Sequence, residues 1–197
     1  MNNIKIFLWP ISIFLMGLST FAAAVEGNFF YGAADFGEGK MNSFCTGVPA
    51  GVSCKDKDSG YRLSAGYQVI AGQNKEGIGI EGSYVNTGKG TFSGPGVSAT
   101  MKNSELQLAA MGTLNVSDSF IVVSKAGLAF WSLKTTSTPA ASGLNPNGVD
   151  FIWGLGAQFD INKSLALRCM YDSHMIGNSV TGRGTMTSFT LGTLLRF

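Results

Sequence analysis

Charge is scarce in this chain, and its scarcity excludes several classes of protein. Only 13% of the 197 residues are charged, about half the share of an average soluble domain. At 45% hydrophobic residues and a net charge of +2, the chain is also too apolar to stay disordered. The 14 basic and 12 acidic residues form no block of one sign, so the sequence predicts no nucleic-acid partner and no polybasic membrane patch.

Metal-ligand spacing and long apolar runs are lacking as well. One histidine and three scattered cysteines give no ligand pattern, so we expect no metal site and no cofactor. After the first two dozen residues, no uninterrupted apolar run approaches the roughly 18 to 20 residues of a membrane-spanning helix. The mean hydropathy is nevertheless positive, at +0.19. The apolar residues must therefore belong to structure other than membrane-spanning helices.

The first 24 residues have the order of a secretory signal peptide. Lys5 precedes a mainly apolar stretch over residues 6–21, and Ala22-Ala23-Ala24 supplies a small-residue cleavage site. The alternative is a retained transmembrane anchor, but the small-residue site favours cleavage. We therefore predict a signal peptide over residues 1–24 and one domain over residues 25–197, exported to an oxidising compartment.

The rest of the chain alternates with a period of two. Leu106 and Leu108 are separated by Gln107, and this pattern puts one set of side chains on each face of a β-strand. It recurs often enough to predict eight strands. Their ranges are 29–37, 61–69, 78–84, 106–116, 120–132, 151–159, 165–172 and 188–197.

The connections between these strands alternate in length. Short links are predicted at residues 71–76, 117–118 and 162–163, and long ones at residues 41–59, 87–100, 135–148 and 176–185. The long connections are rich in Gly, Ser, Thr, Asn and Pro, which are residues that favour turns. Such spacing predicts an up-and-down meander with all its long loops at one end.

The polar residues of the strands decide which face points inward. Glu81, Lys125 and Arg168 share one parity, whereas the other face is continuously apolar. An eight-stranded barrel has an interior just wide enough for side chains, so the charges must fill it and pair there. The apolar face then needs lipid, unlike that of a soluble barrel. Aromatic residues near both strand ends fit the two girdles of a membrane barrel.

Several motifs carry a resemblance to a known family. They are the segments Phe29-Phe30-Tyr31-Gly32-Ala33, Gly60-Tyr61-Arg62-Leu63-Ser64-Ala65-Gly66-Tyr67-Gln68, Ile80-Glu81-Gly82-Ser83-Tyr84 and Leu165-Ala166-Leu167-Arg168. The chain resembles the membrane domain of the OmpA-like family of eight-stranded outer-membrane β-barrel proteins. The fold class implied is all-β, an eight-stranded antiparallel up-and-down transmembrane β-barrel in the bacterial outer membrane.

The same resemblance implies partners. The terminal Phe197 looks like the signal that the barrel-assembly machinery recognises. Outer-membrane lipid is the second expected partner. The sequence ends at the eighth strand, so we expect none of the peptidoglycan-binding domain that many family members carry.

An interior ion-pair cluster of Glu81, Lys125 and Arg168 is the main candidate site. The three residues lie near the middle of their strands, at similar depth. One carboxylate between two cations is stable in a barrel only if the charges satisfy one another. The favoured interpretation is a plug that fixes the register. The alternative is a gate whose rearrangement opens a narrow ion path, a role that the resemblance implies.

The cysteines predict a structural bond. Cys45 and Cys54 flank eight residues of the first long loop, and we predict a disulfide that stabilises this loop. Cys169 has the parity of the lipid-facing residues and is expected to be a small apolar filler.

An enzyme is not expected, although some small barrels modify lipid A. The only histidine, His174, follows Asp172 and Ser173, but neighbouring strand residues point to opposite faces and so cannot converge. We interpret His174 as a polar residue at a loop edge. Lipid A modification is therefore the least supported function.

Two other functions remain open. The first is a structural or adhesin-like role through four long extracellular loops, with a host or environmental surface ligand. The second is a narrow gated ion channel. A pore for bulk solutes is disfavoured because the lumen of eight strands is filled.

Overall fold

The computed structural model describes residues 27–42, 44–48, 51–71, 76–138, 145–178 and 182–197. The predicted signal peptide over residues 1–24 lies outside these ranges. None of the described residues belongs to a helix that is long and apolar enough to cross a membrane. Their regular elements are nine β-strands: β1 (Phe29–Met41), β2 (Ser53–Lys55), β3 (Lys57–Ala71), β4 (Glu76–Gly94), β5 (Val97–Asn115), β6 (Phe120–Thr138), β7 (Asn147–Asp160), β8 (Leu165–Asn178) and β9 (Gly182–Arg196).

Eight of these strands close into an antiparallel barrel. Each barrel strand pairs with its neighbours along the chain, from β1 with β3 to β8 with β9. The barrel closes because β1 also pairs with β9, from Tyr31 opposite Arg196 to Met41 opposite Met186. The additional strand, β2, is three residues long and pairs with β4. The predicted eight-stranded up-and-down barrel is confirmed.

The two faces of the barrel wall differ sharply in polarity. Outward-facing side chains such as Ile80 and Phe151 are each 61% exposed, whereas the inward-facing Arg62 and Arg168 are 0% and 1% exposed. The period of two along each strand produces this separation, because successive side chains point to opposite faces. Apolar surface on the outside and charge on the inside are the reverse of a water-soluble barrel.

Aromatic side chains form the two outward bands that the sequence predicted. Near the short turns, the ring centroids of Phe30 and Tyr67 lie 4.7 Å apart. Near the long-loop end, those of Trp153 and Tyr171 lie 6.0 Å apart. The bands bound an apolar belt on the outer wall, as aromatic girdles do at the two interfaces of a membrane.

Two of the predicted long loops are wrong. In the predicted loop over residues 176–185, β8 and β9 stay paired up to Asn178 opposite Gly182. The segment over residues 87–100 is not an irregular connection but the upper part of a hairpin, in which β4 and β5 run to Gly94 and Val97. Only Pro95 and Gly96 turn the chain, and Gly96 has φ +71°, which suits the position after proline in a type II turn. Gly, Ser and Thr replace the apolar alternation here because this part lies beyond the upper aromatic band. Strand pairing therefore continues where the sequence period ends.

Candidate functional site

Six charged side chains meet inside the barrel. All six lie at inward-facing positions, are almost completely buried and come from five strands. They are Asp35 on β1, Arg62 on β3, Glu81 on β4, Lys125 on β6, and Arg168 and Asp172 on β8.

Arg168 joins two carboxylates. Its Nη2 lies 2.6 Å from Oδ2 of Asp35, and its Nη1 lies 2.5 Å from Oε2 of Glu81. The same Nη2 donates to the hydroxyl of Ser64 at 3.1 Å. A planar guanidinium can serve two carboxylates at once because its N–H groups diverge in a fixed fork.

Lys125 and Arg62 complete the connections. Lys125 Nζ lies 3.1 Å from Oδ1 of Asp172 and 4.0 Å from Oε1 of Glu81. Arg62 contacts Asp172 through Nη2, and its Nη1 lies 4.0 Å from Oδ2 of Asp35. Each of the three cations therefore touches two of the three carboxylates.

These contacts form a closed ring of alternating charge, which we call the ion-pair ring. Its order is Asp35, Arg168, Glu81, Lys125, Asp172, Arg62 and back to Asp35. Three positive and three negative side chains give it a formal charge of zero. Burying charge is costly unless each ion is paired, and the ring supplies every member with two partners of opposite sign.

Hydrogen bonds from neutral side chains support the ring at Glu81 and Lys125. The hydroxyl of Tyr31 donates to Oε2 of Glu81 at 3.0 Å, and that of Ser83 donates to Oε1 at 3.0 Å. Lys125 donates to Oε1 of Gln107 at 2.9 Å. These hydrogen bonds use carboxylate lone pairs of Glu81 and an ammonium proton of Lys125 that the ion pairs do not use.

The sequence named half of this ring. It placed Glu81, Lys125 and Arg168 inside the barrel, and the structure brings these three together. It missed three further members, Asp35, Arg62 and Asp172. Charge balance was the available signal, since one carboxylate cannot neutralise two buried cations, and the missing residues have the inward parity of their strands.

Two apolar clusters pack inside the barrel near the ring. On the long-loop side, the buried side chains are Met41, Trp131, Leu133, Ile176 and Met186, with Phe44 and Met101 packed against them. The other cluster contains Met111, which is directly opposite Lys125, Met170, which lies between Arg168 and Asp172 on β8, and Ile121 and Val123, which lie nearer the short turn than Lys125. Packed hydrophobic side chains thus lie above the ring and fill part of the lumen beside it.

His174 lies in the lumen rather than at a loop edge, which corrects the sequence-based interpretation. It is 5% exposed, and its Nε2 lies 2.8 Å from Oε2 of Glu105. Ser173 is opposite the outward-facing Trp153 in the strand register, so it has the other parity from His174. Among the residues the structure describes, no group of three or more His, Cys, Asp or Glu side chains could hold a metal ion.

A disulfide, a short strand pairing and an ion pair stabilise the long-loop end of the barrel. Cys45 and Cys54 form the predicted disulfide, with their Cα atoms 5.8 Å apart. Cys54 also pairs with Phe92 through strand β2, so the first long loop lies along the tall β4–β5 hairpin. An ion pair joins Lys55 to Asp58 at 3.2 Å in the same region.

The terminal Phe197 closes the barrel seam. Its backbone N–H donates to the carbonyl oxygen of Phe30 at 2.8 Å, and the preceding Arg196 pairs with Asp160 at 2.5 Å. The third cysteine, Cys169 on β8, is half-buried and is not part of a disulfide. Recognition of Phe197 by the assembly machinery stays a prediction.

A closed eight-stranded barrel with an apolar outer belt, two aromatic bands and a charged interior defines an outer-membrane β-barrel. The match to a family model agrees: residues 25–197 match the OmpA-like transmembrane domain, and the chain belongs to this family. The protein is accordingly located in the bacterial outer membrane. No curated protein sequence matches the chain.

Solved structures show the same fold at low sequence identity. The crystal structure of Ail, the attachment invasion locus protein of Yersinia pestis, is 14% identical with a TM-score of 0.55, over 88% of this chain and 100% of that one. Neisserial surface protein A is 12% identical with a TM-score of 0.54, over 87% and 100%. The N-terminal barrel of Pseudomonas aeruginosa OprF is 13% identical with a TM-score of 0.50, over 87% and 100%.

Proposed function

We propose that this protein has a structural and surface-interaction role, in which a sealed barrel holds its long-loop end outside the cell. The observation that carries the proposal is the ion-pair ring, together with the apolar cluster packed on its long-loop side. An ion crossing the lumen would have to separate buried ion pairs and also displace packed side chains such as Trp131 and Met186. Both steps cost free energy, which favours a closed lumen.

The shape of the long-loop end supports an outward role. Strands β4, β5 and β6 are 19 residues each, nearly twice the roughly 9 to 11 that a membrane crossing needs. The excess forms a wall of paired strands above the upper aromatic band, and the Cys45–Cys54 disulfide fixes a loop against it. An ordered, raised surface of this kind is suited to contact with a partner outside the cell.

The relatives suggest what kind of partner to test. Ail, an attachment protein by name, has been crystallised with the heparin analogue sucrose octasulfate. We therefore infer a host or environmental surface ligand for the raised wall of the present protein.

A loop-trimming experiment tests this role. Cells producing the protein are applied to immobilised matrix proteins and to immobilised heparin, beside cells producing a variant in which residues 91–100 are replaced by a two-residue Asn-Gly turn. The barrel strands below stay paired, so unheated gel migration serves as the folding control. We expect binding by the intact protein and its loss in the variant. Equal binding by both, or by neither, overturns the surface-interaction role.

A narrow gated channel is the second candidate, and the ring itself favours it. Each carboxylate of the ring touches two cations, so a pair can exchange partners without leaving a charge alone. Glu81, shared by Arg168 and Lys125, is the natural point of exchange. Single-channel recording of Glu81→Ala in planar bilayers tests this: a changed conductance supports a gate, and an unchanged one removes the hypothesis.

A further inference from the structure

Three lysines face one another in a row across neighbouring strands. Lys89 on β4 is directly opposite Lys102 on β5, and Lys102 is directly opposite Lys134 on β6. All three side chains are exposed. Lys102 and Lys134 have the outward parity of their strands, and the register shift between Asn86 and Lys89 brings Lys89 onto the same face. We call this row the lysine ladder.

The ladder is unfavourable for the protein alone. Side chains directly opposite each other in an antiparallel pair have Cβ atoms about 5 Å apart, and like charges at that distance destabilise the sheet. Within the ranges that the structure describes, no carboxylate lies within 4.0 Å of the three ammonium groups. Asp58 reaches the backbone N–H of Lys89 at 3.1 Å and also holds Lys55.

A second lysine pair at the same end shows how such repulsion is usually relieved. Lys40 on β1 is directly opposite Lys57 on β3. Here each lysine has its own carboxylate: Lys40 lies 3.9 Å from Asp56, and Lys57 lies 3.1 Å from Glu38. The ladder has the same register without the same compensation, which points to an anion from outside the chain.

Hydrogen-bonding rows flank the ladder on the same face. In each of these rows, polar side chains lie directly opposite one another on β4, β5 and β6. The row nearer the membrane belt is Asn86, Ser104 and Ser132, and the row beyond the lysines is Thr91, Thr100 and Thr136. Hydroxyl and amide groups beside ammonium groups match a ligand that carries both sugar hydroxyls and phosphates.

The height of the ladder identifies the source of that ligand. The last large apolar row on this face contains Tyr84, Leu106 and Phe130, which belong to the lipid-facing belt and its upper aromatic band. Lys102 is four residues beyond Leu106, which is roughly 10 Å along the membrane normal for a tilted strand. Lysine stems can bend toward the interface, so the ammonium groups reach the headgroup layer.

We propose that Lys89, Lys102 and Lys134 bind the phosphate groups of phosphorylated sugar headgroups in the outer-leaflet lipid around the barrel. The outward direction of the row and its continuity with the lipid-facing belt favour a membrane lipid over a soluble anion. The site follows from the location in the outer membrane and is independent of the proposed role of the raised wall. It anchors the β4–β6 side of the barrel to the glycolipid leaflet.

The test measures binding of purified lipid A by the refolded full-length barrel in neutral detergent micelles. The probes are lipid A with two phosphates and the same lipid after enzymatic removal of both phosphates. The variants are Lys102→Gln, the triple variant K89Q/K102Q/K134Q, and the control K40Q/K57Q, whose lysines are paired within the protein. Unheated gel migration verifies that each variant is folded.

We expect about five-fold weaker binding of bisphosphorylated lipid A for Lys102→Gln and about 100-fold for the triple variant, since each lysine near an anionic surface contributes about a factor of five. The control pair and the dephosphorylated lipid should show no such loss. Equal binding by the triple variant and the wild type overturns the proposal. So does an equal loss in the control pair, which would indicate general charge attraction.

A second measurement distinguishes the lipid from a soluble polyanion and does not depend on affinity. In vesicles of phosphatidylcholine alone, Lys102→Gln should leave the urea midpoint of unfolding unchanged or raise it, because repulsion within the ladder is relieved. In vesicles that also contain bisphosphorylated lipid A, the same substitution should lower it. A lowered midpoint in both vesicles, or a ladder-dependent binding of heparin that exceeds that of lipid A, contradicts the assignment.

Discussion

Arg168 and Glu81 contact each other across the full width of the barrel, with 2.5 Å between Nη1 and Oε2. They are 87 residues apart in sequence, and their strands, β8 and β4, lie on opposite sides of the closed sheet. Backbone hydrogen bonds connect only neighbouring strands. This contact therefore ties together parts of the wall that the sheet itself does not join.

Removing one charge from the ion-pair ring should destabilise the barrel strongly. Glu81→Gln leaves three cations with two carboxylates in a buried site, and breaking such a pair costs about 3–5 kcal/mol. We expect a loss of that size in the free energy of unfolding, measured by urea titration in phosphatidylcholine vesicles. Glu76→Gln, at an exposed position on the same strand, is the matched control and should change little. Similar losses in the free energy of unfolding for both variants would contradict a specific stabilising role of the ion-pair ring.

Gly66 should tolerate no side chain, because the ring of Tyr31 lies over it. A Cβ at Gly66 would come within 2.3 Å of Cζ of Tyr31, whose hydroxyl donates to Glu81. Gly66→Ala should push Tyr31 aside and cost about 1–3 kcal/mol through overpacking and the lost hydrogen bond. The midpoint of heat-dependent gel migration reports the loss.

Gly32→Ala is the control for that substitution. Its Cβ would meet no atom closer than 3.9 Å, which is ordinary contact. The barrel should keep its midpoint in this variant. A large effect at Gly32 with none at Gly66 would contradict the packing described for Tyr31.

Reduction of the Cys45–Cys54 disulfide should loosen the first loop and leave the barrel intact. The bond closes a loop of about ten residues, for which the chain-entropy contribution is about 2–3 kcal/mol. Since β2 has only three paired residues, we expect faster proteolysis around residues 44–56 in the double variant C45S/C54S. Unheated gel migration should stay that of the wild type. Loss of the folded band would show that the disulfide supports the barrel itself.

The sequence predicts the faces of the barrel better than the contacts within it. The period of two assigns Lys125 and Arg168 to the interior without any knowledge of neighbouring strands. Which interior side chains touch depends on the stagger between strands and on contacts between strands that are not neighbours, as for Arg62 and Asp172. No local sequence pattern contains this information. The interior position of His174 was missed because its strand continues past the last apolar alternation.

The upper hairpin was missed for a related reason. Beyond the membrane belt, the outer face of β4 and β5 no longer meets lipid, so residues such as Thr91 and Thr100 carry no apolar alternation although they are paired. The lysine ladder lies in this part and becomes visible only when the register is known. The apolar alternation in the sequence therefore ends at the height where the proposed lipid site begins.

Potassium flux tests most directly whether the lumen is sealed. The refolded protein is reconstituted in phosphatidylcholine vesicles at a known copy number, and potassium efflux is followed after a membrane potential is imposed. The ion-pair ring and the apolar clusters packed near it predict efflux no faster than from protein-free vesicles. Efflux that rises in proportion to copy number and changes in Glu81→Gln would contradict a sealed barrel and establish the channel.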